Sequence, residues 1–161
     1  MNDSRQKRNG FSLVELVIVV VIIGVIAAIA VPRISRGAKG AGDAAVRMTL
    51  AGIRNAIDMY AAEHGGTYPS GADQAAMEAK LVGKTDAQGN PGTEFGPYLR
   101  SGFPPISVGP LKGQSDLKFP LTASGDPAAD DTTAWAYSTD TGKFIANTTA
   151  TDDNGVAYSD Y

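Results

Sequence analysis

The chain has 161 residues, no cysteine and one histidine, with 14 Lys+Arg against 17 Asp+Glu for a formal charge of −3. That length suits one modest domain, and the missing cysteines remove disulfides, thiolate metal sites and cysteine nucleophiles, while a single histidine, His64, makes a histidine-based metal cluster or a Ser/His/Asp triad hard to assemble. The mildly acidic balance argues against a general nucleic-acid binder, which displays a basic face.

Charge is unevenly placed. Residues 1–10 hold Arg5, Lys7 and Arg8 against Asp3, and Arg33, Arg36, Lys39, Arg47 and Arg54 follow against Asp43, whereas residues 116–161 carry eight aspartates and two lysines. Between the two basic stretches, Leu16–Val31 (LVIVVVIIGVIAAIAV) has sixteen residues without a polar side chain, and extension back to Phe11 adds only Ser12 and Glu15. As a helix, Phe11–Val31 would be about 31 Å long, the thickness of a bilayer's hydrocarbon core. A buried core helix is the alternative, but a small domain seldom surrounds a helix that is apolar on every side. A secretory signal peptide cut after Ala28-Ile29-Ala30 is another, opposed by the length of the run and by the carboxylate inside it.

Glu15 needs a cation. Cutting the Gly10–Phe11 bond creates an α-amine four residues before it, with an ordinary pKa of about 8. On one helix the first and fifth residues share a face, so the pair can form within a chain or between staggered copies.

The string Gly10-Phe11-Ser12-Leu13-Val14-Glu15-Leu16, after a short basic leader and before an apolar run ending at Pro32, resembles the N-terminus of type IV pilins and type II secretion pseudopilins. The resemblance implies that a prepilin peptidase removes residues 1–10 on the cytoplasmic side, between Gly10 and Phe11, and methylates the new N-terminus. Residues 11–32 would be retained, first as an inner-membrane anchor and then as the core of a filament built from copies of the chain and other pilin-like subunits. Glu15 would neutralise the Phe11 amine of a neighbouring subunit and set the axial register. The implied fold is α+β and pilin-like, a long N-terminal helix whose second half packs on a small antiparallel sheet. The implied topology is single-pass, with the N-terminus cytoplasmic and the head periplasmic before incorporation into a periplasmic or surface filament. Basic residues on both sides of the run weaken the charge argument for this orientation, so the resemblance decides it.

Residues 33–64 read as a linker and spine helix, with Gly37, Gly40 and Gly42 each costing about 1 kcal/mol of helix stability relative to alanine. Local melting and a kinked helix are both consistent with that cluster. Val46, Leu50, Ile53, Ile57 and Tyr60 then recur at steps of four and three, one apolar helix face. Gly65-Gly66 predicts the stop, with His64 a capping or exposed residue, and Gly66-Thr67-Tyr68-Pro69 is similar to pseudopilins.

Residues 65–161 form the expected head. A short helix is predicted over 72–82, then a Gly/Pro-rich loop over 83–112. Residues 133–137 and 143–147 read as a hairpin with Trp135 and Tyr137 on the core face, a third edge strand is expected near Phe119–Thr122, and the tail Val156–Tyr161 is a candidate edge strand.

Asp126, Asp130, Asp131, Asp152 and Asp153 flank that hairpin as weak calcium candidates, in line with the calcium site of the major pseudopilins. Asp152-Asp153-Asn154-Gly155 lacks EF-hand spacing, and solvated acidic loops are the default reading. No cofactor is otherwise called for, no phosphate loop or paired carboxylates suggest an enzyme, and no nucleic-acid partner is indicated. The expectation is a structural filament subunit, most closely a type II secretion pseudopilin because the cysteine loop of many type IV pilins cannot form. The alternative is a type IV pilin or a membrane-anchored binding module for adhesion or DNA uptake.

Overall fold

The computed structural model describes residues 11–118 and 125–161. The leader 1–10, with Gly10, and the strand expected at Phe119–Thr122 lie outside the described residues. The elements are α1 (Leu13–Glu63), α2 (Gln74–Val82), β1 (Leu117–Lys118), β2 (Trp135–Tyr137), β3 (Phe144–Ala146) and a 3-10 turn at Tyr158–Asp160. The chain divides into two compact units, Met1–Gly40 and Ala41–Tyr161.

In the first unit the helix is apolar all round. Leu13–Ala30 is long and apolar enough to cross a membrane, and none of it is buried. The buried-core alternative therefore fails, because among the described residues none covers this apolar surface, which needs lipid or other helices. Proline at position 32 removes one donor from the hydrogen-bond ladder, yet the backbone stays helical through Pro32, Gly37, Gly40 and Gly42.

In the second unit, the predicted face of α1 is the spine of the core. Val46, Leu50, Ile53, Ile57 and Tyr60 are each at most 2% exposed. They pack with Met77 and Leu81 of α2, with Phe103, Ile106 and Val108 from the long loop, and with Trp135, Tyr137 and Phe144 of the sheet. The helix ends as the double glycine predicts: Gly65 takes φ +65°, and the Gly66 N–H reaches back to the Ala61 carbonyl at 2.7 Å, a Schellman closure. α2 starts two residues later than predicted, where the Asp73 carboxylate accepts the Ala76 N–H at 2.8 Å as its N-cap.

β2 and β3 form the predicted hairpin, with Trp135 opposite Ala146 and Tyr137 opposite Phe144. The expected all-antiparallel sheet is corrected to a mixed one, since β1 runs parallel to β2. The reason lies in the connection: the segment between Lys118 and Trp135 is long enough to carry the chain back to the starting end, as a parallel pair requires. Every residue of β2 and β3 is buried, so the sheet is covered on both faces. The tail is not an edge strand. It makes one bridge, Thr151 to Ala157, then turns into the 3-10 segment because Tyr158 is drawn into the core.

Candidate functional site

At the N-terminal end, Phe11 and Ser12 precede the helix, and the Ser12 carbonyl accepts the Leu16 N–H at 3.1 Å. Ser12 thus occupies the N-cap position and Glu15 lies in the first turn, the S-x-x-E spacing of a capping box. A carboxylate there faces the positive end of the helix dipole. Phe11 stands outside the helix, one residue before the Ser12 cap. Phe11 and Glu15 are both exposed, Phe11 to 81%, and no cation among the described residues pairs with Glu15.

The structure gives four of the five candidate aspartates separate protein donors. Asp126 pairs with Lys143 at 2.9 Å. Asp130 takes Lys118, the Thr132 hydroxyl at 2.7 Å and the Asn147 amide at 2.8 Å, and Lys118 first among these holds its carboxyl well below the usual range. Asp131, in the left-handed region at φ 56°, accepts from the Thr148 hydroxyl at 2.7 Å and from Thr149. Asp152 accepts the Tyr161 hydroxyl at 2.7 Å and the backbone N–H groups of Asn154 and Val156 at 2.8 and 2.9 Å, which lower its pKa to about 2. Asp153 is exposed. Among the described residues no three His, Cys, Asp or Glu groups converge as a metal cluster. Asp130, Asp131 and Asp152 are hubs of hydrogen bonds that fix the loops around β2 and β3.

His64 stands at the cap of α1, its main-chain N–H reaching the Tyr60 carbonyl at 3.0 Å, but it is buried rather than exposed. It is 7% exposed, with Nδ1 2.7 Å from the Tyr60 carbonyl and Nε2 3.0 Å from the Thr85 hydroxyl and 2.9 Å from the Asp86 carbonyl. Its ring stacks on Tyr60 with centroids 3.8 Å apart. The double glycine predicts a simple helix end; what it does not reveal is that the 85–95 loop folds back over that end.

Two arginines carry roles that composition assigns only to a basic flank. Arg54 donates to the Phe144 carbonyl at 2.9 Å and to the main-chain oxygen of Tyr161 at 2.5 Å. The Arg47 guanidinium lies 4.1 Å from the centre of the Tyr161 ring and 3.5 Å from Asp152. Arg54 is half-buried by these contacts, whereas Arg47 stays exposed along its stem and is engaged at its guanidinium.

Residues 5–31 match the family profile described as the prokaryotic N-terminal methylation motif. No curated protein and no solved structure matches the chain. The matched segment holds Phe11, Ser12 and Glu15 and ends one residue beyond the exposed apolar stretch Leu13–Ala30. Motif and helix together mark an N-terminus of the prokaryotic methylation type on a segment long and apolar enough to cross a membrane.

Proposed function

We infer that this chain is a structural subunit of a type IV pilus-like filament, most closely a type II secretion pseudopilin. The carrying observation is the methylation motif at residues 5–31 laid over a helix that is apolar on all sides and uncovered. Prepilin peptidase would cut between Gly10 and Phe11 and methylate Phe11. The anchor would hold the chain in the inner membrane, with the N-terminus cytoplasmic and the head periplasmic, until subunits leave the bilayer. Lipid-facing surface would then become helix-facing surface, so the same apolar residues serve both states.

Glu15 explains how the helices would find register. Alone in an apolar environment its charge is costly, and a neighbour's freed amine relieves that cost at one axial offset only. At an effective dielectric of about 20 and a separation near 4 Å the attraction is on the order of 4 kcal/mol before desolvation. The lack of cysteine and the Gly66-Thr67-Tyr68-Pro69 segment favour the secretion-type subunit over a pilin with a cysteine-closed loop. The Asp-rich loops, already satisfied by protein donors, would need rearrangement to take calcium.

Mass spectrometry of the N-terminal peptide from native membranes tests the reading. A methylated Phe11 terminus is expected. A terminus at Val31, or an intact Met1, overturns it.

A further inference from the structure

A half-open groove of about 540 Å³ lies between α2 and the loop that follows it. Ala76, Ala79, Gly83 and Pro91 give it an apolar lining, and Lys80 and Lys84 stand beside them. Gly89 also lines it and rests against Tyr60. Only glycine fits there: φ is +77°, and a Cβ would come within 2.2 Å of the Tyr60 hydroxyl oxygen.

A feature of complementary chemistry occurs elsewhere on the same unit. The turn 152–156 is held by the Asp152 N–H bonded to the Val156 carbonyl at 2.9 Å and by the Asp152 carboxylate bridging Asn154 and Val156. Its tip, Asp153 to Val156, is exposed, and Val156 is one of three large apolar side chains, with Met48 and Met59, that face solvent among the described residues of the second unit. Asp160, also exposed, adds to the acidity of this end. The tip is therefore a rigid, apolar-and-acidic projection, and the groove is apolar and basic.

The two features sit at different levels of α1. The turn is tied to Arg47 through Asp152 and, by way of Tyr158, to Asp43. The groove abuts Tyr60, and Thr85 in its lining bonds His64. Arg47 and Tyr60 are thirteen residues apart on one helix, roughly 20 Å along its axis. Features so separated are available to each other between copies, as a heterologous contact, and a heterologous contact that does not close on itself generates an open helical chain.

We propose that the groove of one copy receives the Asp152–Val156 turn of a second copy, with Val156 among Ala76, Ala79 and Pro91 and with Asp153 facing Lys80 and Lys84. The inference rests on the filament reading above, which supplies many copies at fixed offsets. It adds a head-to-head register contact independent of Glu15.

The test uses the full-length chain in cells that process and assemble it. Because the native sequence has no cysteine, the Ala79→Cys/Val156→Cys variant carries one reactive pair at exposed positions. Mild oxidation of assembled material should give a ladder of dimers, trimers and higher species. Neither single-cysteine variant alone should cross-link, and the two co-expressed should stop at dimers. Lys80→Glu with Lys84→Glu should weaken the ladder by about tenfold or more, and Asp153→Lys should restore it, as expected when like charges are juxtaposed and then relieved. Processed filaments without a ladder overturn the contact and leave the filament reading intact. Bands that end at dimers in the double variant, dimers from either single variant, or capture of a different protein by the thiol of the Ala79→Cys variant also overturn it. If the unsubstituted chain keeps its leader and forms no filament, the filament reading itself fails and this contact falls with it.

Discussion

The Tyr158 hydroxyl donates to the Asp43 carboxylate at 2.6 Å, joining residues 115 positions apart. Tyr158 is 2% exposed, so its ring fills the core while its oxygen reaches the start of the head's helix. Burial first, and then the facing carboxylate, push the phenol's ionisation upward, which keeps the donor proton in place. Tyr158→Phe keeps the ring and removes only that donor. Asp43 is half-buried and regains water, so the cost should be about 1.5–2 kcal/mol, the low end of the range for a hydrogen bond to a charged group. A melting temperature lower by several degrees is expected by calorimetry on the full chain in detergent. An unchanged melting temperature shows that the tail is held by packing alone.

His64 offers a larger effect. Its ring meets two carbonyls and one hydroxyl and stacks on Tyr60, so His64→Ala removes hydrogen bonds and leaves a cavity together. The expected loss is about 2–4 kcal/mol. Hydrogen exchange should rise first in the 85–95 loop, which the imidazole ties to α1, before the β2–β3 hairpin is affected. Uniform loss of protection across the head contradicts this local role.

Local chemistry explains which parts of this architecture are legible in the sequence. The step pattern of Val46, Leu50, Ile53, Ile57 and Tyr60, the double glycine and the Trp135 strand are signals that neighbouring residues carry, and each element stands where they place it. The direction of β1 depends on how far a polar connection travels before returning, which no residue of β1 encodes. His64, Arg47 and Arg54 escape sequence reading for the same reason. No neighbouring residue names the partner of any of the three, because each is engaged by a segment 21 or more positions later. At the N-terminus the motif is legible because its chemistry is sequential: leader, Phe11, Glu15 and apolar run lie in one line.

Acid should destabilise the head through its aspartate hubs. Asp152 has a folded pKa of about 2, set first by the Tyr161 hydroxyl, against about 3.9 when unfolded. A depressed folded pKa contributes stability that is fully present above the unfolded value and disappears as pH falls through the folded one. Asp130 and Asp131 shift in the same direction, through Lys118 and through Thr149 respectively. Melting temperature should therefore be insensitive to these groups above about pH 5 and fall steadily between about pH 4 and pH 2. Asp152→Asn should melt lower at pH 7 and show a shallower acid slope. A variant with the wild-type slope removes Asp152 from the account.

Glu15 separates anchoring from assembly. It lies in the first unit, exposed on the first turn of α1, and is not a member of the core cluster of the second. Glu15→Ala should leave the head's melting temperature and protease resistance unchanged. Membrane retention should be equal or better, since removing a carboxylate from an apolar segment relieves at most about 3 kcal/mol of insertion cost. Filament yield should fall at least about tenfold, because a register contact worth more than about 1.4 kcal/mol per subunit is lost at every joint. Electron microscopy of sheared material, with immunoblots of membrane and filament fractions, distinguishes these outcomes. Abundant, regular filaments from Glu15→Ala would show that register is set by the head alone. Loss of the protein from membranes would instead make Glu15 a determinant of insertion or processing.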